Sequence, residues 1–155
     1  MKNLISILIV MTFITSCGFK VVDRSRLSNF EISEINTKGD KKVGYIIRNK
    51  LMLYSSSGGK ELISINLNST KKKIVREKNI KNEITKYEIK IVANVNIKKI
   101  YDGEDFEFTI TKNGNYDVAK QNSTTRNNEK QLILLLSNDL ADEILSETNI
   151  KLNDS

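Results

Sequence analysis

Cys17 is the one thiol in 155 residues, and histidine is absent. Those two counts decide most of the chemistry open to the chain. Without an imidazole, the usual nucleophile–base pairs and the commonest metal ligand are missing. A single cysteine closes no internal disulfide, and a free thiol is unwelcome in an oxidising compartment. Carboxylates cluster at Asp102, Glu104 and Asp105, closer together and less regular than the ligands of an oxygen-rich calcium loop. Asp102-Gly103 reads there as a hairpin turn. Ser123-Thr124-Thr125 has no base within sight and reads as a helix start. Paired carboxylates for glycan cleavage would need a pocket-forming loop, and none accompanies them. No enzyme activity, metal or soluble cofactor is expected.

What Cys17 offers instead follows from its surroundings. Met1-Lys2-Asn3 carries one positive charge, Leu4 to Phe13 is almost wholly apolar, and small polar residues lead to the cysteine. A charged start, an apolar run of about 7–15 residues and a small-residue processing site describe an export signal. The run falls short of the roughly 20 apolar residues that a permanent span needs. Ile14-Thr15-Ser16-Cys17 resembles the lipobox of bacterial lipoproteins. That resemblance implies diacylglyceryl transfer to the Cys17 thiol, cleavage after Ser16 and acylation of the new terminus. One acyl chain binds a membrane marginally, whereas two or more hold stably at about 0.8 kcal/mol per buried methylene. Residues 1–16 are therefore expected to be a lipoprotein signal peptide, and 17–28 the acylated N-terminus and tether. Gly18 follows the cysteine. In the sorting rule that comes with the resemblance, Asp at that place holds lipoproteins in the inner membrane. The expected location is the outer membrane, lipid-anchored on its periplasmic side.

Removing residues 1–16 leaves 139 of 155 residues, enough for one domain with a real core. It takes away one base, Lys2, so 24 of the 25 Lys and Arg face 19 acids and the net charge becomes +5. Anionic partners fit that charge: phosphorylated headgroups, lipopolysaccharide or peptidoglycan-linked acids. Nucleic acid is not expected in that compartment. Proline, tryptophan and histidine are absent, and Lys, Asn and Ile abound, a bias that an AT-rich genome alone would produce.

Periodicity supplies the elements that must position any site. Phe30 and Ile32 alternate with polar neighbours, predicting a strand over 29–36. Val43, Ile46, Ile47, Leu51 and Tyr54 fall at helical spacing, and Ser55-Ser56-Ser57-Gly58-Gly59 ends that helix, with glycine offering a left-handed C-terminus. Ile63, Ile65 and Leu67 begin a second strand that runs on through Val75. Tyr87, Ile89, Ile91, Ala93, Val95 and Ile97 share one parity, so the third strand has a dry and a wet face. Phe106, Phe108 and Ile110 form the fourth, and 112–128 is polar. A long helix starts between Ser123 and Asn128 and carries Leu132, Leu135, Leu136, Leu140, Ile144 and Leu145. Its 132–136 stretch, apolar nearly all round, should be buried on more than one side. The expected fold is α+β: β-α-β-β-β-α, a four-stranded, mostly antiparallel sheet with two helices on one face, in a single domain over 29–152.

This order behind an acylated cysteine resembles the LPS-assembly lipoprotein family (LptE). Cys17-Gly18-Phe19 is similar to the family's mature start, Gly114-Asn115-Tyr116-Asp117 to the aromatic segment closing its last strand, and Leu140-Ala141-Asp142-Glu143-Ile144 to the core of its final helix. The resemblance implies a non-catalytic partner of the outer-membrane barrel LptD, which inserts lipopolysaccharide: a plug that supports barrel assembly and contacts the lipid. A sheet with one polar face suits a water-filled lumen. Basic residues at a sheet end would meet lipid A phosphates. Arg76, Lys78 and Lys81, expected in the turn between the second and third strands, are candidates, as are Lys112, expected at the end of the fourth, and the run Lys71-Lys72-Lys73. The alternative for each is a solvated lysine guarding a sheet edge. Rival functions are an accessory lipoprotein of another envelope lipid-transport or barrel-assembly complex, and a structural envelope lipoprotein.

Overall fold

A computed structural model describes residues 30–55 and 59–153. The signal segment 1–16, Cys17, the tether 17–28 and residue 29 lie outside the described residues, as do 56–58. Six elements follow one another: β1 (Phe30–Gly39), α1 (Lys41–Tyr54), β2 (Glu61–Lys78), β3 (Ile84–Lys99), β4 (Asp105–Asp117) and α2 (Asn122–Asn153). The strands form one sheet in chain order, β1-β2-β3-β4. This is the α+β arrangement expected.

Two of the three pairings are antiparallel, β2 with β3 and β3 with β4. β1 and β2 run parallel, within a sheet expected to be mostly antiparallel. The reason is α1, which carries the chain back along the sheet so that β2 starts again beside the beginning of β1. β1 also holds a bulge between Ile32 and Glu34. The extra residue, Ser33, donates its hydroxyl to the Ile63 carbonyl at 3.0 Å. Without it Ile35 would point away from Ile32; with it, Phe30, Ile32 and Ile35 all bury on one side.

β3 organises the core. Ile89, Ile91, Ala93, Val95 and Ile97 are all buried, flanked in register by Ile65 and Leu67 of β2 and by Ile110 of β4. The helices close this side. α1 contributes Val43, Ile47 and Leu51, and α2 contributes Ile133, Leu136, Leu140, Ala141, Ile144 and Leu145, a stripe at helical spacing. Leu134 and Leu135 are exposed, against the expectation for 132–136. They sit outside that stripe, where no described residue covers them.

Strand limits also move. β2 and β3 end together in a two-stranded ribbon tip at Lys78 and Ile84, so Arg76 and Lys78 lie within β2, and of the three bases expected in the turn only Lys81 is there. β4 continues to Asp117 through the stretch read as polar, which puts Lys112 at mid-strand. Gly114 lies close under α2, where an added Cβ would meet the Leu132 Cδ1 at 2.8 Å. α1 ends at Tyr54 on an extended Ser55, whose backbone N–H reaches the Leu51 carbonyl, rather than on a left-handed glycine. Gly59 serves a different need, since a Cβ there would lie 2.4 Å from the Phe30 carbonyl carbon.

The turn into α1 is the tightest joint. Asp40 caps the helix by accepting from Lys42 N–H at 3.1 Å and Val43 N–H at 3.0 Å. Its own N–H donates to the Ser69 carbonyl at 2.8 Å. Gly39, at φ +88°, sits so near β2 that an added Cβ would lie 1.9 Å from the Ser69 oxygen. Gly39→Ala is expected to destabilise the fold by about 2 kcal/mol or more, because strain and overlap act together. Chemical denaturation of the two proteins checks it.

Candidate functional site

The face turned away from the helices is uncovered by any described residue, and its side chains stand in rungs across the strands. Asn36 lies beside Asn66, Asn66 beside Asn96, and Asn96 beside Glu107. The next rung is Lys38, Asn68, Asn94 and Thr109. Asn96 donates to Glu107 at 2.9 Å and Asn66 to Asn96 at 3.4 Å, while the Thr109 hydroxyl donates to Asn94 at 2.9 Å. These residues line a depression of about 550 Å³. Side-chain amides present donors and acceptors without net charge, so the surface stays wet or meets another polar wall. Farther along β2 and β3, Lys72 faces Lys90 directly on this same side, and both are exposed. Like charges directly opposite repel unless an anion lies between them.

The seven bases singled out from the sequence are not brought together. Lys72 alone of the run 71–73 joins the open face, because Lys71 and Lys73 share the parity of Ile65 and Leu67 and point to the helix side. Lys71 pairs with the Asp40 cap at 2.9 Å. Lys112 also points to the helix side and pairs with Glu143 of α2. Arg76, at a bulge in β2, pairs with Glu88. Glu88 is buried while its partner is half exposed. Lys78 donates to Asn82 at 3.0 Å across the β2–β3 turn, whose Asn82 takes φ 62°. Lys81 is exposed at the same turn. Lys90 was missed, although its parity with Asn94 and Asn96 places it on the wet side.

Lys73 sits in an aromatic clasp. Its ammonium lies 4.1 Å from the Tyr87 ring centroid and 5.4 Å from that of Tyr116, and the two rings stack at 5.7 Å. Glu129 of α2 takes both the ammonium, at 2.7 Å, and the Tyr116 hydroxyl, at 2.8 Å. Burial would push the Glu129 carboxyl up, but these hydrogen bonds and the nearby charge hold it below its ordinary value. Burial opposes the Lys73 charge as well, but the hydrogen bonds and charge attraction of Glu129 and Tyr116 together outweigh it, so its pKa rises. Burial, followed by Glu129, raises Tyr116 despite the lowering by Lys73. The clasp pins the start of α2 to the β3–β4 pair.

At the opposite end, the expected turn at Asp102-Gly103 is present. Lys99 N–H donates to the Glu104 carbonyl at 2.8 Å, Gly103 takes φ +71°, and the Lys99 ammonium meets the Glu104 carboxylate at 3.0 Å.

No protein-family model matches the chain, and no curated protein matches it by sequence. Solved structures do match. Rare lipoprotein B of Shewanella oneidensis is similar at a TM-score of 0.57 and 15% identity, covering 77% of this chain and 97% of that one. A chain described as a lipoprotein from Caulobacter crescentus gives 0.57 at 14%, covering 84% and 95%. Lipoprotein B of Nitrosomonas europaea gives 0.51 at 9%, covering 88% and 93%. All three are lipoproteins, and at these identities what this chain shares with them is the fold.

Two predictions separate structural bases from free ones. Arg76→Ala leaves the buried Glu88 without its counter-charge and is expected to cost about 1–3 kcal/mol, whereas Lys81→Ala stays within about 0.5 kcal/mol. Thermal unfolding of both variants reads the contrast. Glu129→Gln is expected to cost about 1 kcal/mol near neutral pH, a modest figure because Lys73 is partly exposed. A carboxylate with a lowered folded pKa stabilises above its unfolded value and loses that contribution as pH falls through the folded one. The difference between wild type and Glu129→Gln should therefore shrink on acidification below the ordinary carboxylate range, as denaturation series at several pH values would measure.

Proposed function

We propose that this chain is a non-enzymatic outer-membrane lipoprotein, held on the periplasmic side by lipid on Cys17, that plugs and helps assemble the barrel translocating lipopolysaccharide. The observation that carries the reading is the uncovered amide face, which runs across all four strands in register. A sheet buried on one side and amide-lined on the other is built to lie against a polar surface, and the interior wall of a large barrel is such a surface. The acylation sequence ending at Cys17 and the fold shared with solved lipoproteins support the same reading.

Direct contact with lipopolysaccharide belongs to this proposal too. Of the candidate bases, Lys72 and Arg76 reach the open side, Arg76 there bound to Glu88, and Lys90 stands opposite Lys72. A phosphate bridging the two ammonium groups relieves their repulsion and gains two charge-assisted hydrogen bonds. Lys78 and Lys81 at the ribbon tip form a second basic position. Lys71, Lys73, Arg76 and Lys112 are engaged by acids of the chain itself and serve the fold.

Capture of the barrel protein from detergent-solubilised outer membranes by acylated bait tests the plug. Asn68→Arg, placed in the middle of the open face, should lower that capture at least about tenfold while leaving the unfolding temperature nearly unchanged. A bait that captures no barrel would reject the reading in favour of another envelope complex or a purely structural lipoprotein. For the lipid, Lys72→Gln with Lys90→Gln should weaken lipopolysaccharide binding and flatten its salt dependence, while the exposed Lys120→Gln should leave both unchanged.

A further inference from the structure

Exposed apolar side chains gather at one end of the sheet. β1 begins at Phe30 beside the start of β2 at Glu61, Ile63 pairs with Lys99 at the end of β3, and Lys98 pairs with Asp105 at the start of β4. Both helices finish there as well. Ser55, just past α1, accepts from the Ile32 N–H at 2.8 Å, and Lys151 of α2 lies 5.9 Å from the Phe106 ring centroid. Tyr54, Ile150 and Asn153 line one pocket between the helix ends.

From these separate elements five large apolar residues point outward: Met52 and Leu53 of α1, Ile100 and Tyr101 of the β3–β4 turn, and Ile150 of α2. Leu53 and Tyr101 are 77% and 78% exposed. The turn that presents Ile100 is held rigidly, its N–H donating to the Leu62 carbonyl at 2.9 Å. Three elements distant in sequence have no folding reason to expose such residues at one place, since each pays in contact with water.

We propose that this end of the domain, with Leu53, Ile100 and Tyr101 foremost, rests in the interfacial layer of a phospholipid membrane. The occupant follows from where the chain leads. Phe30, at this end, is thirteen residues from Cys17, a reach of at most about 45 Å fully extended. β2 runs 18 residues away from it, about 55 Å at strand rise, and the ribbon tip with Ile80 lies beyond. The end gathering the apolar residues is therefore the one that an acylated Cys17 holds nearest the bilayer. Tyr101 has the amphipathic ring that settles at headgroup depth. Asp102, Glu104 and Asp105 beside it are balanced by Lys98, which pairs in register with Asp105, and Lys99, which meets Glu104, so this end carries little net charge and the contact is apolar and nearly insensitive to salt. This inference takes the lipid on Cys17 from the proposed function and leaves the barrel aside.

The chain contains no tryptophan, so a single introduced indole reports its own depth. Acylated full-length Tyr101→Trp, Leu53→Trp and Ile80→Trp are each reconstituted into zwitterionic phosphatidylcholine vesicles with bromine on the acyl chains near the headgroups. Emission from the Tyr101→Trp and Leu53→Trp proteins should fall by about half or more, at low and high salt alike, while Ile80→Trp stays unquenched. Equal quenching at position 80, or none at 101 and 53 in protein that floats with the vesicles, overturns the inference alone. A chain that does not float with the vesicles overturns the lipid anchor and the inference together. Failure to capture a barrel touches neither readout.

Discussion

The alternation of β3 is the constraint from which the rest of the molecule follows. Its helix-side residues from Ile89 to Ile97 are sealed from water, each isoleucine contributing about 2 kcal/mol by leaving it. Because the side chains of β3, which holds no bulge from Ile89 to Ile97, alternate in direction, a register slip of one residue would exchange the dry face for Lys90, Asn94, Asn96 and Lys98. Both neighbours must then bring apolar side chains to the same side. β2 does so with Ile63, Ile65 and Leu67, and β1 manages it only by inserting Ser33. Two helices covering one side use up the cover available, and the amide face is what remains.

The dry side is dry only over part of its length. Past Ser69 and Ala93, the helix-side positions of β2 become Lys71 and Lys73, and Lys112 of β4 comes between Ile110 and Gly114. Each of these amines is met by an acid from the helical layer: Asp40 at the cap of α1, and Glu129 and Glu143 of α2. Lys50 does the same between helices, bonding the Asn138 carbonyl at 3.0 Å and Asp142 at 2.6 Å. These four lysines act as directional contacts that set how the helices lie on the sheet.

Residue patterns reveal the elements better than their partners. β3 is legible because six residues of one parity leave no other reading, and the Asp102-Gly103 turn because its chemistry is local. The parallel pairing of β1 is not legible, since nothing in Phe30 to Gly39 records where α1 returns the chain. The bulge hides for a related reason: Ile35 breaks parity with Ile32, and only the pairing to Ile63 and Ile65 explains it. Lys112 to Tyr116 reads as polar loop because Asn and Gly carry little strand propensity, yet pairing with β3 overrides that. For the candidate site, parity held information that the basic run obscured. Extending the alternation of Ile63, Ile65 and Leu67 through Lys71 and Lys73 sends those two to the helices and leaves Lys72 outside.

The surfaces so produced are oriented differently. The amide face runs along the strands, whereas the apolar cluster of Leu53, Ile100 and Tyr101 caps their end. An apolar cap in a membrane interface sets the strand axis away from the bilayer plane and leaves the long face standing clear of lipid. A face lying flat on the membrane would press Asn68 and Asn94 toward headgroups and withdraw the cap into water, losing on both counts. The β2–β3 ribbon, with Glu77, Lys78 and Lys86 at its charged tip, then projects farthest from the lipid. Anchor, cap and open face are in this way compatible with a single attitude of the domain, its open face running along the bilayer normal as the inner wall of a barrel does.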